Sequence, residues 1–166
     1  MKHNIYVMSK QNAYAYSQDE FIPPTIIVSI NDDFSSVPNF PDNPSILDIC
    51  YSYFADEEDG PEAMTDEDAK AIVDFLANWI DQDVDIVVHC GAGVSRSAGT
   101  AAAIMLMLNG DDSLIFGSAQ YAPNMNCYRR MLNAAGMYLS EDEVQQKYDQ
   151  QLELWREAAR ENGLID

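Results

Sequence analysis

Short apolar runs alternate with longer amphipathic segments along this 166-residue chain. Three runs, at residues 4–9, 25–30 and 45–51, are rich in β-branched and aromatic residues and are bounded by polar or proline-containing stretches. This pattern predicts three strands. A fourth run, residues 85–90, is mostly apolar, which is typical of a central strand buried on both faces.

Helical spacing of apolar positions begins at residue 65. Residues 65–80 repeat with a period near 3.6, with Thr65 as a predicted N-cap and carboxylates in the first turn, where the helix dipole favours them. The alanine-rich residues 94–108 predict a buried helix that ends at Asn109-Gly110. Further helices are predicted at residues 112–119 and 124–135.

A long C-terminal helix is predicted to start at the sequence SEDE, residues 140–143, which matches a capping box. An apolar stripe at spacings of three or four is expected to pack this helix onto the body of the protein. The stripe consists of Val144, Tyr148, Leu152, Trp155 and Ala159.

The order of these elements predicts an α/β fold, because strands come first and a buried strand leads directly into a helix. We expect a central, mostly parallel sheet flanked by helices. The length and the 47% hydrophobic content are typical of one globular domain, here residues 1–166. The proline-rich residues 35–44 are interpreted as a surface connection within it.

Charge and cysteine content narrow the function classes. The 28 acidic and nine basic residues give a net charge of −19, which argues against binding to the nucleic-acid backbone. No apolar stretch has the length of a secretory signal or a membrane span, so no membrane association is expected. Three separated cysteines without metal-ligand spacing fit a reducing, cytoplasmic location and predict no metal site.

The junction between the fourth strand and the next helix, residues 89–97, carries the sequence HCGAGVSRS. Backbone N–H groups at such a helix N-terminus form an anion site, and the same positive end favours the thiolate form of Cys90, which is the nucleophilic form. Arg96 can return to the loop with a planar fork that matches two phosphate oxygens, and Ser97 can donate a hydrogen bond to the thiolate. The glycines allow close approach of the backbone to a ligand.

This motif resembles the signature of the cysteine-dependent protein tyrosine phosphatases, and its HCxAGxSRS form is similar to that of the dual-specificity branch. The resemblance covers roughly residues 45 to 135 and implies a tyrosine-phosphatase-like fold. It implies that Cys90 is the nucleophile that forms a phosphocysteine, that Arg96 binds the phosphoryl oxygens, that His89 tunes the thiolate and that Ser97 assists its release. The implied phosphate-binding loop is Gly91, Ala92, Gly93, Val94, Ser95 and Arg96, and no metal or organic cofactor is implied.

Such a phosphatase also needs a general acid for the leaving oxygen, usually an aspartate about thirty residues before the cysteine. The acidic sequence FADEEDG, residues 54–60, lies in this region. Asp56 follows a strand-end pattern similar to that of bacterial and phage-type relatives, whereas Asp59 fits the spacing of many eukaryotic members. We predict Asp56, with Asp59 as the alternative, while Asp32 and Asp33 stay open.

The resemblance implies a phosphorylated protein or peptide as substrate, most simply phosphotyrosine and also phosphoserine or phosphothreonine. Residues 91–95 contain no basic side chain, which disfavours a phosphoinositide or an RNA 5′-phosphate. A phosphate-recognising module without turnover, a pseudophosphatase, is the alternative of a different class. Cys50 is either a core cysteine or a redox partner of Cys90. Asn124 is predicted to be a helix cap, and the resemblance adds a contact with the phosphate loop.

Overall fold

Four strands and six α-helices make up the part of the chain that the structure describes, a computed structural model covering residues 3–19 and 22–166. The strands are β1 (Ile5–Ser9), β2 (Thr25–Asn31), β3 (Ile46–Tyr53) and β4 (Asp85–Cys90). The helices are α1 (Lys10–Ser17), α2 (Asp66–Ala77), α3 (Arg96–Asn109), α4 (Ser113–Phe116), α5 (Met125–Ala134) and α6 (Glu141–Glu161). A short 3₁₀ helix, Phe34–Ser36, follows β2.

The strands form one sheet in the order β1-β4-β2-β3, and every pairing is parallel. This arrangement confirms the predicted α/β fold. β4 lies between β1 and β2, and every one of its residues after Asp85 is buried. Its apolar sequence is therefore explained by burial on both faces.

Helices cover both faces of the sheet. On one face, Ile26, Val28 and Ile30 of β2 pack in the large core with residues of α2, α3 and α5. On the other face, Ile27 packs with Ala13 of α1 and with Val87. Because alternate residues of a strand point to opposite faces, the continuous apolar run of β2 supplies both cores.

Helix α1 was not predicted from the sequence. It begins directly after β1, where the Ser9 hydroxyl accepts a hydrogen bond from the Asn12 N–H at 3.0 Å. Only Ala13 and Ser17 of this helix are buried, so the apolar stripe that normally reveals a helix is nearly absent. The helix predicted at residues 112–119 is also shorter than expected, because it ends at its C-cap Gly117.

The predicted packing stripe of α6 is wrong in part. Tyr148 is 43% exposed, whereas Gln151 is buried. The Gln151 amide donates hydrogen bonds to the carbonyl oxygens of Ser118 (2.6 Å) and Tyr121 (2.7 Å), so a polar side chain fixes this helix to the body. None of the helices in the described ranges combines the length and the apolar character that a membrane crossing requires.

Candidate active site

Cys90 is the last residue of β4 and lies at the carboxyl edge of the parallel sheet, where α/β folds bind ligands. Residues 91–95 form an irregular loop, and α3 begins at Arg96. The Cys90 Sγ lies 3.1 Å from the Ser97 Oγ, and both residues are buried. The hydroxyl of Ser97 is therefore placed to donate a hydrogen bond to the sulfur.

His89 is buried on the opposite face of the sheet from the large core, and its protonation follows from its neighbours. Its Nδ1 lies 3.2 Å from the Cys90 carbonyl oxygen, which only accepts, so Nδ1 carries the proton. The Ser29 hydroxyl lies 2.6 Å from Nε2 and donates to it, while the Asn31 side-chain amide donates to the Ser29 Oγ at 3.0 Å. Burial lowers the pKa of His89, which fits this neutral form.

Ser29 and Asn31 are site residues that the motif did not reveal. The signal for them lies in the second half of β2, where Ser29 and Asn31 alternate with apolar residues in a fully buried strand. Buried polar side chains need hydrogen-bond partners, and here the partner is His89, the residue before Cys90.

The guanidinium of Arg96 is held from two sides. Its Nη1 donates to the Asp32 Oδ1 at 2.7 Å and to the Phe54 carbonyl oxygen at 2.8 Å. The Arg96 side chain is only 9% exposed, whereas the Asp32 side chain is 70% exposed. A β-carbon at Gly91 would lie 3.7 Å from the Arg96 Nη2, so the other end of the fork faces the start of the loop.

Asp56 contacts the loop directly. Its Oδ1 accepts hydrogen bonds from the Ser95 hydroxyl at 2.7 Å and from the Asn124 side-chain amide at 3.0 Å. Asn124 also caps α5, because its Oδ1 accepts from the Cys127 N–H at 3.0 Å, and its own N–H donates to the Ser95 carbonyl oxygen. Asn124 therefore contacts the loop, Asp56 and α5. It is the expected helix cap, and it makes the expected contact with the loop.

The other candidate carboxylates are placed differently. Asp32 is engaged with Arg96. Asp33 caps the 3₁₀ helix, and the hydrogen bond from the Ser35 side chain lowers the pKa of Asp33, which disfavours the protonated form that a general acid needs. Asp59 forms no hydrogen bond or ion pair with any other described residue.

Gly93 allows the loop to lie against the end of β1. Its φ is +73°, and a β-carbon there would lie 2.5 Å from the Ser9 backbone nitrogen and 2.6 Å from the Met8 carbonyl carbon. Backbone atoms cannot move aside as a flexible side chain can. The loop conformation therefore requires glycine at this position.

We expect Gly93→Ala to destabilise the protein by about 2–4 kcal/mol, the sum of a left-handed alanine and a clash with backbone. Gly110→Ala is the matched control, because Gly110 has a φ of +74° with open space around its β-carbon position. That variant should lose only about 1–2 kcal/mol. Urea unfolding of both variants measures the difference, and equal losses would show that the contact with β1 imposes no constraint.

Gly99 permits a second close approach. A β-carbon at Gly99 would lie 2.2 Å from the Asn124 carbonyl oxygen, so α5 touches the backbone of α3 at this point. This contact brings Asn124 near enough to bind Asp56.

The two other cysteines differ in their position relative to Cys90. Cys50 is on β3, and β2 separates it from β4, which puts the two strands about 10 Å apart. A disulfide between Cys50 and Cys90 would therefore need backbone movement. Burial raises the pKa of Cys127 to about 12, so this thiol stays protonated.

Among the described residues, no three His, Cys, Asp or Glu side chains are grouped so that they could hold a metal ion.

The sequence matches no family model and no curated protein sequence. The fold is similar to that of solved phosphatase structures. The Cydia pomonella PTP-2 phosphatase has a TM-score of 0.55 and 15% identity over 80% of this chain and 86% of that chain. Human DUSP28 has a TM-score of 0.50 and 13% identity over 92% of this chain and 94% of that chain.

A third similar structure is the human tyrosine phosphatase-like serine/threonine/tyrosine-interacting protein, with a TM-score of 0.50 and 18% identity over 70% of this chain and 79% of that chain. These similarities confirm the expected fold class. The chain has the fold of the tyrosine and dual-specificity phosphatases.

Proposed function

We propose that this protein hydrolyses phosphomonoesters on protein side chains through a phosphocysteine intermediate. The observation that carries the proposal is the convergence of four groups on one loop. The Cys90 sulfur, the Ser97 hydroxyl and the Arg96 guanidinium lie at the end of β4 and the start of α3, and Asp56 is bonded to the loop through Ser95.

The phosphoryl group is bound by backbone and side-chain donors. The amide groups of residues 91–95 donate no hydrogen bond to any described residue, so they are available to an anion. The Nη2 and Nε of Arg96 are the guanidinium donors not used by Asp32 and Phe54. Together these donors stabilise the negative charge of the transferring phosphoryl group.

In the first step, the Cys90 thiolate attacks phosphorus, a P–S bond forms and the P–O bond to the leaving group breaks. The leaving oxygen takes a proton from Asp56. Because the Asp56 Oδ1 already accepts two hydrogen bonds, that proton resides on Oδ2. Asp56 is then a carboxylate for the second step.

In the second step, water attacks the phosphocysteine and Asp56 takes its proton. The P–S bond breaks and inorganic phosphate leaves. The thiolate that departs is stabilised by the Ser97 hydroxyl at 3.1 Å, and the His89 Nδ1–H fixes the Cys90 carbonyl oxygen behind it. Neutral His89 therefore acts as a positioning residue for the nucleophile.

Asp56→Asn should lower the rate on phosphotyrosine peptides by roughly 10²- to 10⁴-fold, the usual value of positioned proton transfer. The loss on a nitrophenyl phosphate should be much smaller, because nitrophenolate leaves with little help. Asp59→Asn is the matched control, and both of its rates should stay close to wild type. Steady-state kinetics on the two substrates measures the effect. If Asp59→Asn shows the leaving-group-dependent loss of rate and Asp56→Asn does not, Asp59 is the general acid.

The substrate class follows from charge. A net charge of −19 and the absence of any basic side chain in residues 91–95 disfavour polyanionic lipids and RNA 5′-phosphates. A single phosphomonoester on a peptide fits this loop better.

Release of inorganic phosphate from a panel of substrates tests the proposal. The panel holds phosphotyrosine, phosphoserine and phosphothreonine peptides, a phosphoinositide and an RNA 5′-phosphate, and each is assayed with wild type and with Cys90→Ser. Wild-type turnover of a phosphopeptide that Cys90→Ser lacks supports the proposal. Turnover of only the phosphoinositide or the RNA 5′-phosphate would show that the substrate is not a phosphoprotein. Binding of a phosphopeptide without any turnover would show that the protein is a pseudophosphatase.

A further inference from the structure

A groove of about 580 Å³ opens directly beside the phosphate loop. One wall is the N-terminal part of α1 and the other is the segment after the 3₁₀ helix. The groove, here named the Lys10 groove, is lined by residues that include Lys10, Tyr14, Val37, Pro38 and Gly91. Gly91 belongs to both the groove and the phosphate loop, so the two sites are continuous.

The position of Lys10 is fixed by the fold. Ser9 pairs with Cys90 in the parallel ladder, and the Lys10 N–H donates to the Gly91 carbonyl oxygen at 3.1 Å. A side chain at the start of α1 is thereby held next to the residue that follows the nucleophile. Burial is the main cause of the lowered pKa of His89, and the positive charge of Lys10 lowers this pKa further. The charge of Lys10 therefore acts on the residue beside Cys90.

Lys10 is a cation without an ion-pair partner among the described residues of a strongly acidic protein. No described residue forms an ion pair with it, whereas Arg96 is paired with Asp32. The other described cations without an ion pair are Arg129 and Arg156, and neither lines the groove. An acidic substrate segment repelled by the rest of the surface is therefore attracted at this point.

The walls of the groove supply apolar contact. Tyr14 is 45% exposed, Pro38 is buried and Val37 is half-buried. A tyrosine beside a proline offers a rigid apolar surface at a small entropic cost. Because an extended chain advances about 3.4 Å per residue, the residues next to a phosphorylated side chain can reach this surface.

We propose that the Lys10 groove binds the segment that flanks the phosphorylated residue of a peptide substrate, with an apolar side chain against Tyr14 and Val37 and a neighbouring carboxylate on Lys10. This assignment rests on the proposed function and names its sequence preference. The groove uses no side chain of the catalytic machinery.

Two phosphotyrosine peptides test the assignment, one with a leucine and a glutamate beside the phosphorylated residue and one with glycines at those positions. The readout is the ratio of kcat/KM for the two peptides within each variant. Lys10→Gln and Tyr14→Ala should each lower the ratio about 3- to 10-fold, and the effect of Lys10→Gln should shrink at high salt. Arg129→Gln, which removes the same charge elsewhere, should keep the wild-type ratio.

Equal ratios in Lys10→Gln and Arg129→Gln would overturn the assignment, because net charge alone would then explain the effect. Binding of both peptides to Cys90→Ser and to its double variants with Lys10→Gln or Arg129→Gln, measured by fluorescence polarisation, gives a second readout. If wild type releases no phosphate from any substrate, the proposed function fails, and this binding preference alone decides whether the groove reads the flanking sequence.

Discussion

Cys90→Ser is expected to lower phosphate release by about 10⁶-fold, the scale on which removal of a covalent nucleophile acts in a hydrolase. A serine hydroxyl is protonated at neutral pH and is a much weaker nucleophile than a thiolate. The neighbouring His89 cannot take its proton, because Nε2 already accepts a hydrogen bond from the Ser29 hydroxyl. The loop amides and Arg96 are unchanged in this variant. It should therefore bind tungstate or inorganic phosphate as wild type does.

Rapid-quench kinetics measures the loss, and calorimetry with tungstate measures the binding. Cys50→Ser is the matched control, because this half-buried thiol lies on the far side of β2 from the nucleophile. Its turnover should be close to wild type. Turnover by Cys90→Ser at a rate comparable with wild type would exclude the covalent mechanism.

Arg96→Lys is expected to lower kcat/KM by roughly 10³- to 10⁵-fold although it conserves the charge, a range similar to the value of a transition-state arginine in phosphoryl transfer. The reason is that different nitrogen atoms of the guanidinium bind different groups. Nη1 donates to Asp32 and to the Phe54 carbonyl oxygen. In the proposed function, the remaining donors of Arg96 bind the phosphoryl oxygens. A single ammonium cannot supply both sets of bonds in fixed directions.

Two comparisons sharpen this prediction. Arg129→Lys changes an exposed arginine in the same way and should leave kcat/KM unchanged. Asp32→Asn keeps the Arg96 guanidinium but removes the charge of its ion-pair partner. This variant should lower kcat/KM measurably, but by less than Arg96→Lys does. Steady-state kinetics on a phosphotyrosine peptide gives all three values. Near-normal kinetics in Arg96→Lys would mean that the guanidinium does not bind the phosphoryl group.

Much of the fold was predictable because its elements carry strong local signals. β4 has the continuous apolar sequence of a central strand, Thr65 and Ser140 carry capping boxes, and Gly110 ends α3 with a φ of +74°. These signals act within a few residues. The expected, mostly parallel sheet was confirmed, whereas the strand order β1-β4-β2-β3 was not predicted from the sequence.

The features that were missed depend on residues far apart in the chain. The ion pair between Asp32 and Arg96 spans 64 positions, and the bond from Asn124 to Asp56 spans 68. The strand-end pattern favoured Asp56 within the acidic cluster, but its partners Ser95 and Asn124 lie far away in the sequence. The apolar stripe of α6 failed for the same reason, because the carbonyl groups that bind Gln151 come from a distant turn.

The start of α3 has a thermodynamic consequence of its own. Among the described residues no side chain caps this helix, because the hydroxyl of its N-cap Ser95 donates to Asp56 instead of accepting from the helix. An anion bound there completes the first turn, as a capping side chain does elsewhere. The same N–H groups would then bind the ligand and complete the helix. A phosphate that binds only the folded state raises the free energy of unfolding by RT ln(1 + [L]/Kd). In the proposed function, a bound phosphoryl group would therefore supply the capping hydrogen bonds that no described side chain gives to α3.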